Sequence, residues 1–241
     1  MPQVKLLLFD GDGTLVSFRH EDPDHPINRF ESSYDAVGFA SGNWQRWIEV
    51  RDTYYHMVIA NPDKPEIYEE WCRKQAGFLK GIKVAYIMEQ LTPLNYVSGA
   101  REFFNEIRQK KERGYITGIV SSGLNIVMDK VKEELGLDFS ISTKLDVRDG
   151  VLTGRDDYIV PFFGKDEQVR NVAQEYGASL KQTAYFGDHE NDIPVFEIVG
   201  LPIAVCPKEE VRDKVIAAAR YKVVYNLMDA LPIIEEYEGR T

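Results

Sequence analysis

Apolar runs of strand length alternate with helical patterns along most of this chain. The runs fall at Val4–Phe9, Tyr115–Val120, Ala184–Phe186, Ile203–Val205 and Val223–Tyr225. Between them, helical spacing covers Ala100–Glu112, Ile126–Leu135, Glu167–Tyr176, Ile193–Val199 and Glu209–Ala219. Gly114, Gly136, Gly177 and Gly200 stand near the expected helix ends, where left-handed backbone is often needed. Near-continuous apolar strands alternating with helices over short connections predict an α/β fold, a parallel sheet covered on both faces. Such sheets take ligands at the carboxyl ends of their strands.

One segment breaks the rhythm. Residues 17–93 hold no convincing strand, carry all three tryptophans (Trp44, Trp47 and Trp71), and show helical patterns at Ser32–Ala40, Trp44–Ile59, Pro65–Phe78 and Lys83–Glu89. They read as an all-helical insert after the first strand, leaving 1–16 and 94–241 as the sheet-bearing domain. A separate helical domain on a linker fits less well, because the chain must return to the sheet through Thr92-Pro93-Leu94. Farther on, Asp149-Gly150 between Ile141–Val147 and Val151-Leu152-Thr153 is a hairpin signal.

Composition narrows the partners. The 241 residues are 44% hydrophobic with a net charge of −10, which speaks against nucleic acid but not against a small anionic substrate, since a metal and local cations can reverse the sign inside a pocket. No apolar stretch reaches membrane-spanning length, and the N-terminus lacks a signal-peptide layout, so the expectation is a cytoplasmic protein, a monomer or a homodimer. Cys72 and Cys206 read as separate thiols.

The candidate chemistry lies at the strand ends. The first strand stops in Asp10-Gly11-Asp12-Gly13-Thr14. Two carboxylates flanking a glycine there suit catalysis, although Asp also serves in tight turns and helix caps. The second ends in Ser121-Ser122-Gly123, which suits a phosphate at a helix start or is an ordinary cap. A third ends in Gly187-Asp188-His189-Glu190-Asn191-Asp192, where two carboxylates straddle a turn as a hard cation would require. Lys165 follows Phe163-Gly164.

Taken in order, "FDGDGT", "IVSSG", "FGKDEQV" and "FGDHENDIPVF" resemble the four signature motifs of haloacid dehalogenase (HAD) superfamily phosphatases, and the likeness spans residues 4–16 and 94 to about 227. "LTPLNYVSGAREFFNEIRQKKERGY", "KVKEELGLD" and "DGVLTG" add a likeness to phosphoserine phosphatase and its relatives. The resemblance implies a Rossmann-like core with an inserted C1-type cap at 17–93. It implies a Mg²⁺-dependent phosphomonoesterase for a small phosphorylated metabolite, working through an aspartyl phosphate. Asp10 would be the nucleophile and Asp12 the general acid and base. Mg²⁺ would be held by Asp10, the Asp12 carbonyl and Asp188. Ser121 and Lys165 would hold the phosphoryl oxygens, with Ser122, Gly123 and Asn191 beside them and Asp192 orienting Lys165 or a metal-bound water. Dehalogenation is disfavoured, because a leaving halide needs no Asp12. A phosphorylated signalling receiver would be about half this length and lack the insert.

The resemblance thins at the leaving group. Phosphoserine phosphatases carry a glutamate shortly after the first motif that pairs with the substrate ammonium. Ungapped alignment puts Arg19 there, followed by His20 and Glu21. A slip of one or two residues would restore an acid at Glu21; otherwise Arg19 either repels an ammonium and favours an anionic or neutral leaving group, or points to solvent. The family's carboxylate-binding cap arginine maps loosely to Arg73, and Ser122 replaces a glycine. The expected activity is therefore a phosphatase of open substrate, with phosphoserine phosphatase proper as the alternative and a phosphomutase behind it.

Overall fold

The computed structural model describes residues 3–18, 24, 30, 32–110 and 113–239. Arg19, His20, Glu21 and His25 lie outside the described residues. Among the described residues, strand β1 (Leu6–Phe9) leads into four helices, α1 (Ser33–Ala40), α2 (Trp44–Ala60), α3 (Pro65–Phe78) and α4 (Val84–Leu91). The chain then alternates: α5 (Ala100–Gln109), β2 (Ile116–Leu124), α6 (Asn125–Leu135), β3 (Phe139–Arg148), β4 (Val151–Tyr158), α7 (Lys165–Glu175), β5 (Thr183–Gly187), α8 (Ile193–Ile198), β6 (Leu201–Val205), α9 (Arg212–Ala218), β7 (Val223–Val224) and α10 (Ala230–Tyr237).

The strands form one sheet in the order β4-β3-β2-β1-β5-β6-β7, with only the β3–β4 pair antiparallel. β1 shows why it is sandwiched. Leu7 and Phe9 join Phe103, Phe104, Val127 and Ile234 on one face, while Leu6 and Leu8 join Val169, Val172, Phe196 and Val215 on the other. A period-two strand that is apolar at every position must be covered twice.

Helix boundaries agree with the periodicity to within a turn. The helix expected from Glu209 begins at Arg212 after a tighter turn at Glu209–Val211, and α10 is an element the periodicity did not announce. Gly136 and Gly177 have positive φ just past helices, whereas Gly200 does not need it. The second strand departs most. It runs through Ser121-Ser122-Gly123 to Leu124 after an irregularity in its pairing with β3, so the serines lie in the strand and not at a helix cap.

The hairpin forms around Asp149 and Gly150, both with positive φ. It does not merely project from the sheet. Gly81 N–H donates to the Leu152 carbonyl (2.8 Å), Leu152 N–H to Ile82 (2.9 Å) and Val84 N–H to Gly150 (2.9 Å), so the chain entering α4 pairs with the start of β4. A smaller apolar cluster of Val58, Tyr68, Trp71 and Cys72 packs against Ile159, Phe162 and Phe163. No helix among the described residues is long and apolar enough to cross a membrane.

Candidate active site

The carboxyl ends of β1, β2 and β5 converge, as the parallel order requires. Asp10 leaves β1 with its backbone N–H bonded to the Phe186 carbonyl, and its Oδ1 accepts from Gly11 N–H at 2.7 Å. Gly13 turns the loop with φ 80°, and a Cβ there would stand 2.1 Å from Asp188 Oδ2, so only glycine lets the β1 and β5 loops approach this closely. Gly123 is crowded too, though less tightly, since its Cβ would meet Ser33 Oγ at 2.9 Å and Asp12 Oδ2 at 3.0 Å.

Lys165 is the hub. Its ammonium, fully buried, lies 2.8 Å from Asp10 Oδ2 and 2.6 Å from Asp192 Oδ1. Burial alone would lower its pKa, but the charges of Asp10 and Asp192 overcome this and raise it. Asp192 has no lone pair to spare. Oδ1 also accepts from Tyr185 Oη at 2.9 Å, and Oδ2 accepts from the backbone N–H groups of Asp188 and His189 at 3.1 Å each. Asp188 is less engaged, with Oδ1 accepting from Thr14 Oγ1 at 3.1 Å. Burial first, then the Asp10 and Asp192 charges, push Asp188 well above the usual carboxylate range.

Asp10, Asp188 and Asp192 offer oxygens within 4.8 Å of one another. Crowded buried carboxylates of this kind are what a divalent cation relieves, and oxygen donors suit a hard one. The partnering of Asp192 leaves Asp10 and Asp188 as the side chains available to a metal.

Asp12 faces the same space. Burial chiefly, against a lowering hydrogen bond from Ser33, brings its pKa up to about 7. Ser33 Oγ donates to Oδ2 at 2.7 Å, while Asp12 Oδ1 and Asn191 Oδ1 are buried with no protein partner among the described residues. Burial, then Lys208 and Lys165, lower His189 to about 4.

These groups open onto a cavity of about 530 Å³ reached by Asp10, Asp12, Ser121, Ser122, Gly123, Asp188 and Asn191. Lys165 and Asp192 lie beneath it. Ser121 Oγ accepts from Gly123 N–H at 3.1 Å, and Ser122 Oγ donates to the Pro161 carbonyl at 3.2 Å. The helical insert adds Tyr34, Asp35, Arg51, Tyr68 and Trp71 to the wall, and Phe162, His189, Lys208, Glu210 and Val211 border it from the sheet-bearing part of the chain. Arg73 is not among them. It is exposed and paired with Glu69 at 2.6 Å, which corrects its assignment to substrate. Among the described residues, the arginine that borders the cavity is Arg51 on α2.

Comparison with known proteins gives the same answer as the geometry. The haloacid dehalogenase-like hydrolase family model matches residues 7–197. A phosphoserine phosphatase of Methanocaldococcus jannaschii is 34% identical over 211 residues, 87% of this chain and 89% of that protein. A substrate-bound phosphoserine phosphatase structure superposes with a TM-score of 0.69 at 26% identity, covering 97% of this chain and 99% of that one. A phospho-aspartyl intermediate analogue of phosphoserine phosphatase superposes at 0.68 with 26% identity over 96% and 99% of the two chains. The strand-end acids, the buried lysine between them and these likenesses lead to one conclusion: the chain belongs to the haloacid dehalogenase-like hydrolases and is a phosphatase of that family.

Proposed function

We propose that the protein hydrolyses a small phosphomonoester through an aspartyl phosphate, with Mg²⁺ as its metal. The observation that carries this is Lys165, buried between Asp10 and Asp192 with Asp12 beside them at one cavity. In the first step an Asp10 oxygen attacks phosphorus, the bond from phosphorus to the ester oxygen breaks, and the departing alkoxide takes the Asp12 proton. In the second, Asp12 takes a proton from water, the water oxygen bonds to phosphorus, and the Asp10–phosphorus bond breaks to release phosphate. A carboxyl titrating near 7 can both hold and surrender that proton.

Lys165 would neutralise charge growing on the phosphoryl oxygens. Ser121, Gly123 and Asn191 would hold those oxygens, and Ser122 would border the leaving group. Asp192 would orient Lys165 as a positioning residue. Mg²⁺ would be held by Asp10, Asp188 and the Asp12 carbonyl, where it lowers the repulsion between the Asp10 carboxylate and the phosphate. The division into a core of 1–16 and 94–241 and a cap of 17–93 belongs to this proposal.

The test is phosphate release from acetyl phosphate and a panel of monoesters, with Mg²⁺ or with EDTA, for wild type and Asp10→Asn. Release that needs Mg²⁺ and disappears in Asp10→Asn is the expected result. Undiminished turnover by a folded Asp10→Asn protein would overturn the nucleophile. The second reading, phosphoserine itself as substrate, is favoured by the 34% identical relative.

A further inference from the structure

β5 (Thr183–Gly187) is buried at every position, and a strand covered on both faces favours apolar side chains. Tyr185, in its middle, departs from that. Its ring lies in the apolar cluster of Leu8, Val120, Val169 and Val195, with Phe196 edge-on at 6.0 Å. Among the buried members of that cluster it alone carries a polar side-chain atom. Packing there needs only a ring, which phenylalanine would supply. A buried hydroxyl costs stability unless a partner takes its proton.

Tyr185 Oη lies 2.9 Å from Asp192 Oδ1 and 3.3 Å from the carbonyl oxygen of Val120, the residue before Ser121. A phenol has one proton to give. The shorter contact and the charged acceptor assign it to Asp192. Burial first, then the charges of Asp192 and Asp10, push the phenol well above its ordinary range, so at neutral pH the hydroxyl is a donor.

The same oxygen holds Lys165, whose ammonium stands 2.6 Å from Asp192 Oδ1 and 2.8 Å from Asp10 Oδ2. Before the reaction both carboxylates are anions, and the cation sits between them. Once Asp10 has attacked, its carboxylate is an acyl phosphate, and the charge that Lys165 faced lies on phosphoryl oxygens. Asp192 remains an anion and alone would draw the ammonium to itself. A hydrogen bond donated to Oδ1 stabilises that anion and weakens its demand for the cation.

Resting on the phosphatase reading above, we propose that Tyr185 is a positioning residue of the hydrolysis. By sharing Asp192 Oδ1 with Lys165, its hydroxyl limits the hold of Asp192 on the ammonium and leaves Lys165 free to follow the charge onto the phosphoryl oxygens.

The test uses acetyl phosphate in the presence of Mg²⁺. Acetate leaves without a proton from Asp12, which keeps the acid role of Asp12 out of the comparison. Tyr185→Phe keeps the ring and removes only the hydroxyl. Its kcat and kcat/KM are expected to fall together by about tenfold, the mark of an interaction that matters in the transition state and not in binding. In an Asp192→Asn background, which removes the charge that Tyr185 tempers, the same substitution is expected to add no further loss. Losses that multiply in the double variant would mean that Tyr185 acts independently of Asp192, and would overturn the proposal. So would a folded Tyr185→Phe with the wild-type kcat, whether or not its KM has risen. Tyr185→Met takes its place in the same cycle should Tyr185→Phe not fold. A wild type that releases no phosphate overturns the phosphatase reading and this inference together; one that turns over while Tyr185→Phe matches it overturns the inference alone.

Discussion

Ser33, the first residue of α1, donates a 2.7 Å hydrogen bond to Asp12 Oδ2 and itself accepts from Leu124 N–H at 3.3 Å. A hydroxyl of the helical insert therefore fixes the rotamer of the residue proposed to move the proton. Removing it costs a hydrogen bond to a group that is charged in half of the cycle, worth about 1.5–3 kcal/mol. Ser33→Ala should lower kcat by about tenfold or more, with Ser33→Thr recovering part of it. Steady-state kinetics on both variants check this; a wild-type kcat in Ser33→Ala would mean that Asp12 needs no such support.

Lys165→Met leaves Asp10 and Asp192 without their cation. Breaking a buried pair this way costs about 3–5 kcal/mol, on the order of ten degrees in Tm for a chain of this size. The loss has a pH sign. Asp192 is already held above its ordinary 3.8, by burial first, despite the lowering effect of Lys165. Without that lysine its folded pKa rises further, so the variant is most stable below the unfolded value and loses stability as pH climbs through the folded one. Thermal melts in EDTA should show the gap between wild type and variant widening upward from about pH 4. A gap that narrows with rising pH would contradict the pairing.

The crowding of Asp10 and Asp188 predicts stabilisation by a divalent cation. At 100 times Kd the gain is about 2.7 kcal/mol. Melting curves with increasing Mg²⁺ should rise for wild type and rise much less for Asp188→Asn. An equal rise in both would place the ion elsewhere.

The two cysteines should differ in reactivity. Neither is in a disulfide. Burial pushes the Cys72 thiol up to about 12, so at pH 8 only ~1 in 10,000 molecules carries the thiolate. Cys206 is only partly buried. Iodoacetamide at pH 8 followed by peptide mass analysis should find Cys206 labelled first, and rapid labelling of Cys72 would contradict its burial beside Tyr34 and Tyr68.

The core half of the site was legible because its signals are local. Asp10 follows an apolar strand, and Gly11 and Gly13 follow from how closely the loops must approach, so chain order already gives the arrangement. The insert half was not. Tyr34, Asp35 and Arg51 reach the cavity, and Ser33 reaches Asp12, through tertiary packing across a stretch with no strand register to count. The loose mapping to Arg73 fails on a clue that α3 itself holds. Its buried face is Tyr68, Trp71, Cys72, Gln75 and Ala76, a stripe at helical spacing on which Arg73 does not fall. β2 was cut short at Val120 because Ser-Ser-Gly are turn residues by propensity, and the surrounding contacts of Gly123 override that preference.

The pairing between residues 81–84 and the start of β4 has a consequence for how copies of this chain meet. An outer strand with unpaired N–H and carbonyl groups is a template on which a second molecule can zip. From Gly150 to Leu152 that template is already filled from within the same chain. Along this stretch the sheet edge is closed to a neighbour's strand, so strand pairing between copies must use some other edge, and the hairpin tip is guarded against runaway strand addition.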